Sequence, residues 1–114
     1  LAPGLAVTHS NLGDTLAQFG EFSEAIDELR RAIQLAPNNG YANRALAQLL
    51  AQQGRDAEAE AAFTEAIRRR PMDWLLHSAS GSFYLVRKRL PEAEAAFLKA
   101  RELTPDNNIV LRLL

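Results

Sequence analysis

Phe-Thr-Glu-Ala-Ile-Arg-Arg-Arg-Pro, residues 63–71, returns 34 residues later as Phe-Leu-Lys-Ala-Arg-Glu-Leu-Thr-Pro, residues 97–105. It also stands 34 residues earlier as Leu-Arg-Arg-Ala-Ile-Gln-Leu-Ala-Pro, residues 29–37. Each copy has a large apolar residue, an Ala three positions on and a Pro five after that. Three copies in one register make a repeat, and the period organises the rest of the chain.

Working outward, each copy is the second half of a helix pair. Residues 6–19 carry an amphipathic pattern with Leu12, Leu16 and Phe19 on one stripe, closed by Gly20. Residues 21–36 follow with Phe22, Ala25, Ile26, Leu29, Ala32 and Ile33 on a second stripe. Residues 37–40, Pro-Asn-Asn-Gly, break the helix and cap the next. The unit then repeats: a helix over 41–53 closed by Gly54, and another to Arg70 with Asp56 as its expected N-cap. After Pro71 and Met72, Asp73 is the expected cap of the helix opened by Trp74. In the third turn Lys88 replaces the Gly, and Pro91 suits the first turn of the following helix. Pro3 keeps the period with Pro37, so residues 1–5 read as the tail of a preceding unit. Complete units then span 6–39, 40–73 and 74–107 of a single domain, and 108–114 begin a fourth, making about seven helices.

The composition agrees. Ala and Leu are abundant and β-branched residues few, which favours helix. The 114 residues carry 13 Lys and Arg against 14 Asp and Glu, so no excess exists to build a nucleic-acid-binding face. No apolar run approaches the ~18 residues that mark a membrane-spanning helix, and the start does not resemble a signal peptide. With no Cys there is neither a disulfide framework nor a thiolate metal site. A cytoplasmic location is favoured, and the missing initiator Met suggests a fragment of a longer array.

The residues at matching positions are Gly13, Ala47 and Gly81 at the eighth; Ala25, Ala59 and Ala93 at the twentieth; and Leu29, Phe63 and Phe97 at the twenty-fourth. Ala32, Ala66 and Ala100 hold the twenty-seventh, and Pro37, Pro71 and Pro105 the thirty-second. This pattern resembles the tetratricopeptide repeat (TPR) family over nearly the whole chain. The resemblance implies an all-α solenoid of antiparallel helix pairs in a right-handed superhelical stack. Physically, the small residues let helices approach and the large ones fill the gaps between them, and each pair needs a stacked neighbour to bury its faces. The chain departs from the family at the fourth position, often Trp, where His9, Asn43 and His77 stand.

Nothing in the sequence asks for an enzyme or a cofactor. His9 and His77 occupy equivalent positions two units apart; with helices ~8–10 Å apart that is roughly 20 Å, too far to share a metal. They read as partly buried residues at helix interfaces. The glycines serve packing and helix ends rather than a phosphate loop. Asp27–Arg31 and Glu65–Arg69 read as surface i,i+4 pairs. Two basic runs, at 68–70 and 87–89, suit helix C-termini, with an anion or phosphopeptide site as the sharper alternative. Trp74 reads as packed against Met72 and the preceding helix, with an exposed binding anchor as the alternative.

By the family resemblance, the first helix of each pair lines a concave face. The groove positions there are Val7, Ser10, Asn11, Asp14, Ala17 and Gln18; then Tyr41, Arg44, Ala45, Gln48, Ala51 and Gln52; then Leu75, Ser78, Ala79, Ser82, Leu85 and Val86. Peptide binding is expected to rest on Asn11, Asp14, Gln18, Tyr41, Arg44, Gln48, Gln52, Ser78 and Ser82. The clamp with which chaperone-binding members hold a C-terminal carboxylate has no counterpart, because Ser10, Asp14, Ala45, Leu75 and Ala79 hold its places. An asparagine ladder is missing too, since Asn11 is followed by Ala45 and Ala79. The expected function is a non-catalytic scaffold for a protein or peptide ligand, without nucleic-acid, membrane, metal or cofactor binding. A structural spacer or self-association segment, joined through the apolar C-terminal end with Ile109, Val110, Leu111, Leu113 and Leu114, is the first alternative. A regulatory module appended to an enzyme such as a kinase or glycosyltransferase is the second.

Overall fold

The computed structural model describes residues 3–104, and these form six α-helices with no strand among them. They are α1 (Pro3–Gln18), α2 (Phe22–Leu35), α3 (Gly40–Gln52), α4 (Asp56–Arg69), α5 (Trp74–Val86) and α6 (Leu90–Leu103). Each odd-numbered helix packs chiefly on the even-numbered helix that follows it. The pairs join through α2 on α3, α3 on α5 and α4 on α5, which is a solenoid. The expected seventh helix at 108–114 lies outside the described residues. Residues 3–5, expected in the tail of a preceding unit, are instead the first turn of α1.

Local chemistry sets the helix ends. The turns within the pairs share one hydrogen-bond pattern. Gly20, Gly54 and Lys88 take left-handed φ of 81°, 73° and 62°. The N–H of the next residue donates back to the carbonyl five earlier: Glu21 to Leu16 at 2.9 Å, Arg55 to Leu50 at 3.0 Å, Arg89 to Tyr84 at 2.9 Å. These are Schellman turns, which satisfy carbonyls that a helix end would otherwise orphan. Between pairs, side-chain caps take over. Asn39 accepts from the Ala42 N–H and Asp73 from the Leu75 N–H. Asp56, expected to cap α4, does not. It lies inside the first turn, and the residue at the cap position, Arg55, makes no side-chain capping bond.

The core contains Ala25, Ile26, Leu29, Leu46, Ala47, Leu49, Leu50, Ala59, Phe63 and Phe83. Its construction explains the repeat. A Cβ added at Gly13 would lie 2.9 Å from the Leu29 side chain, and one at Gly81 would lie 2.9 Å from the Phe97 ring. The eighth position is small because the large residue of the paired helix rests on it. Ala47 and Phe63 hold the same places in the middle pair, and both are buried.

The unusual polar residues at the fourth position also have structural work. Asn43 donates to the carbonyls of Pro37 and Asn39, at 3.0 and 2.9 Å. His77 Nε2 donates to the Pro71 carbonyl at 2.8 Å, and His9 pairs with Glu28 at 2.5 Å. Asn43 and His77 each reach back six residues to the proline that ended the preceding helix, tying the turn between pairs to the next helix. Two sequence expectations fail nearby. Leu12 lies on the expected stripe of α1 yet is exposed, and Phe19, expected to end that stripe, stands in the turn after α1 and is 78 % exposed. Among the described residues α1 has no helix packed before it to cover that side.

Candidate functional site

The odd helices α1, α3 and α5 carry the candidate groove residues. Tyr41, Arg44, Gln48 and Gln52 follow one another on α3 at spacings of three, four and four, which places them on one stripe. With Asp14 and Ala17 of α1 they line a polar pocket of about 190 Å³. Gln48 and Gln52 also line a larger pocket of about 660 Å³ between α3 and α5, whose walls include Phe63, Phe83, Val86, Ser82 and Arg87.

Five of the nine expected binding residues thus gather at the smaller pocket: Asp14, Tyr41, Arg44, Gln48 and Gln52. Ser82 joins two of them at the larger. Asn11, Gln18 and Ser78 line neither. Ser10, placed in the groove by its register, is 3 % exposed, and its hydroxyl has no partner among the described residues.

The smaller pocket is tied across helices. The Tyr41 hydroxyl of α3 donates to the Asp14 carboxylate of α1. That bond, with a smaller contribution from burial, pushes the phenol above its ordinary value. The Arg44 guanidinium stands 5.8 Å from the Tyr41 ring centre, within cation–π range.

One wall of the larger pocket is Arg87, a member of the second basic run. It donates to the Ala51 carbonyl at 2.9 Å and to Asp56 at 2.5 Å. Its guanidinium also covers the Phe83 ring at 4.5 Å. Asp56 is therefore employed by a residue 31 positions away, and Arg87 holds its carboxyl below the ordinary range. A parallel tie runs from Arg89 to Glu60 at 3.0 Å and to Glu92 at 2.8 Å, with the Tyr84 hydroxyl donating to Glu60. The hydrogen bond from Arg89 is the main cause that lowers Glu60; burial, then Glu60, raises Tyr84.

The other basic run is equally engaged. Arg68 and Arg69 both bond Glu65, at 2.6 and 2.9 Å, and Arg70 bonds Asp73 and the Asn38 carbonyl. The hydrogen bond from Arg68 is the first cause that brings Glu65 down to about 2. Of the two expected surface pairs, Glu65–Arg69 forms, whereas Arg31 turns to Glu28 at 3.6 Å instead of Asp27. Met72 is 71 % exposed and Trp74 half-buried. No group of three His, Cys, Asp or Glu among the described residues could hold a metal ion. No described helix is long and apolar enough to cross a membrane.

Comparison with known proteins agrees with this fold. No curated protein matches the chain. Solved structures do. The first TPR domain of Spaghetti (RPAP3), bound to the HSP90 peptide SRMEEVD, superimposes with a TM-score of 0.80 at 21 % identity, over 94 % of this chain and 85 % of that one. The first TPR domain of human RPAP3 gives 0.81 at 23 %, over 93 % and 84 %. At these identities the likeness concerns the fold. MamA gives 0.77 at 27 %, and the match covers 90 % of this chain and 60 % of that protein. The tetratricopeptide repeat family model matches residues 10–71 and 57–108. With its helix pairs, its Schellman turns and its small-on-large packing in one register, the chain belongs to the tetratricopeptide repeat family.

Proposed function

We propose that the chain is a non-catalytic scaffold that binds an extended segment of another protein along the odd helices, with units dividing at 6–39, 40–73 and 74–107. The observation that carries this reading is the convergence of Asp14, Tyr41, Arg44, Gln48 and Gln52 from two first helices on one pocket. Tyr and Arg dominate interface energetics because they combine large contact area with directional polar groups. Spaghetti's first TPR domain binds an HSP90 peptide, which supports peptide recognition as the class of function.

The ligand differs from that peptide. The places of a carboxylate clamp hold Ser10, Asp14, Ala45, Leu75 and Ala79, and Asp14 would repel an acidic C-terminus. The test is selection from a phage-displayed random peptide library. Peptides enriched on the wild-type chain should be lost by the variant carrying Tyr41→Ala, Arg44→Ala and Gln48→Ala, with circular dichroism unchanged. Equal retention by the variant overturns the groove reading.

A second, structural reading has its own observation. Leu90, Phe97 and Leu98 of α6 are exposed, by 58, 36 and 47 %. Such a face invites another helix pair or a second copy of the chain. Light scattering over a concentration series checks self-association, and a constant monomer mass removes it.

A further inference from the structure

The two pockets form one continuous surface, because Gln48 and Gln52 line both. Their characters differ. The larger is floored by Phe63 and Phe83, 2 and 5 % exposed, and rimmed by Val86, 73 % exposed. Its volume of about 660 Å³ lies in the ~300–1,000 Å³ range of sites that enclose a ligand group. The smaller is polar and holds one carboxylate, Asp14, and one guanidinium, Arg44.

Charge decides what fits. Asp14 and Arg44 bring one charge of each sign to the smaller pocket, so its lining is neutral in sum. Arg87 is the charged side chain of the larger, and Asp56 already neutralises it at 2.5 Å. An ionic side chain entering the larger pocket would lose hydration without gaining a counter-charge. A neutral one would not.

Backbone spacing adds to this. Gln48 and Gln52 are both exposed on α3, and each amide offers a donor and an acceptor. Four helical residues rise ~6 Å. Alternate residues of an extended chain lie ~6.6–6.8 Å apart. The two amides are therefore spaced to meet same-side backbone groups of an extended peptide.

We propose that this joined surface takes an electrically neutral, extended peptide segment of another protein, with one large apolar side chain seated against Phe63 and Phe83 and its neighbouring backbone amides read by Gln48 and Gln52. The inference rests on the groove reading above and adds the chemistry of the ligand.

The test uses peptides enriched on the wild-type chain from the displayed library. They should share a neutral core with one large apolar position, and replacing that position by Ala should weaken binding by more than about tenfold. Ser82→Trp, which fills the larger pocket from an exposed position, and Val86→Asp, which charges its rim, should each do the same. Circular dichroism verifies that both variants remain folded. Should binding depend on Tyr41, Arg44 and Gln48 but withstand Ser82→Trp and Val86→Asp, or should the shared feature be a net charge, the apolar anchor is overturned while groove binding stands. If no peptide is enriched, or none responds to any of these changes, both readings fall.

Discussion

Lys88 occupies a place that the other two turns give to Gly. Its φ is 62°, and its N–H bonds the Leu85 carbonyl at 3.0 Å, so the turn is as completely formed as those at Gly20 and Gly54. The hydrogen bonds are equivalent, and the difference lies in the backbone conformation. An L-residue in the left-handed region costs ~1–2 kcal/mol. Glycine avoids that but loses ~0.5–1 kcal/mol more conformational freedom on folding. Lys88→Gly should therefore stabilise the fold by about 0.5–1 kcal/mol, raising Tm by ~2–6 °C for a domain of this size. Gly54→Ala is the reverse experiment. A Cβ at Gly54 would meet nothing within 4 Å, so its effect is purely conformational, and a loss of about 1 kcal/mol is expected. Lys88→Ala retains the Cβ and should change little. Thermal melts by circular dichroism and urea titrations give all three values. A Tm for Lys88→Gly that is unchanged or lower, beside a neutral Gly54→Ala, refutes the reasoning.

Three further outcomes are expected. Ala59 is 0 % exposed within the core, so Ala59→Leu should overpack it and cost ~1–3 kcal/mol; a Tm equal to wild type would deny the tight contact. Fluorescence polarisation with a labelled SRMEEVD peptide should show no saturable binding, and saturation at micromolar protein would contradict the absent clamp. Arginine bonds lower Glu65 to about 2 and hold Asp56, Glu58, Glu60 and Glu92 below their ordinary values. Groups depressed in the folded state contribute stability above their unfolded pKa and lose it as pH falls through the folded one. Tm should thus decline as pH drops from about 4.5 to about 2, less steeply in high salt; a flat profile would mean that these ion pairs contribute nothing.

The parts of the fold legible in the sequence were those governed by near neighbours and by the period. Gly20, Gly54, Asn39 and Asp73 mark helix ends through local backbone chemistry, and the structure uses all four that way. The small-on-large contact of Gly81 with Phe97 follows from register alone. Asp56 shows where such reasoning stops. Its position suits a cap, but a guanidinium at the end of the next helix competes for the same carboxylate and wins. Ser10 and Leu12 exchange their expected environments because burial depends on which neighbour covers each face of α1, and the pattern within a helix does not contain that information. Asp14 and Tyr41 were both expected in the groove, yet their direct bond depends on how far α3 stands from α1, a distance set by packing.

Arg87 has a consequence for association. A long cationic side chain at the lip of a recognition surface normally samples many rotamers, and stilling it on contact costs ~0.5–1.5 kcal/mol. Here the Ala51 carbonyl, the Asp56 carboxylate and the Phe83 ring have stilled it beforehand, so that entropy is spent on folding. An arriving segment meets a wall already in its final shape. The same three contacts fasten the end of α3, the start of α4 and the end of α5 to one another. Loosening Arg87 should therefore blur the pocket and slacken the join between two helix pairs in a single event.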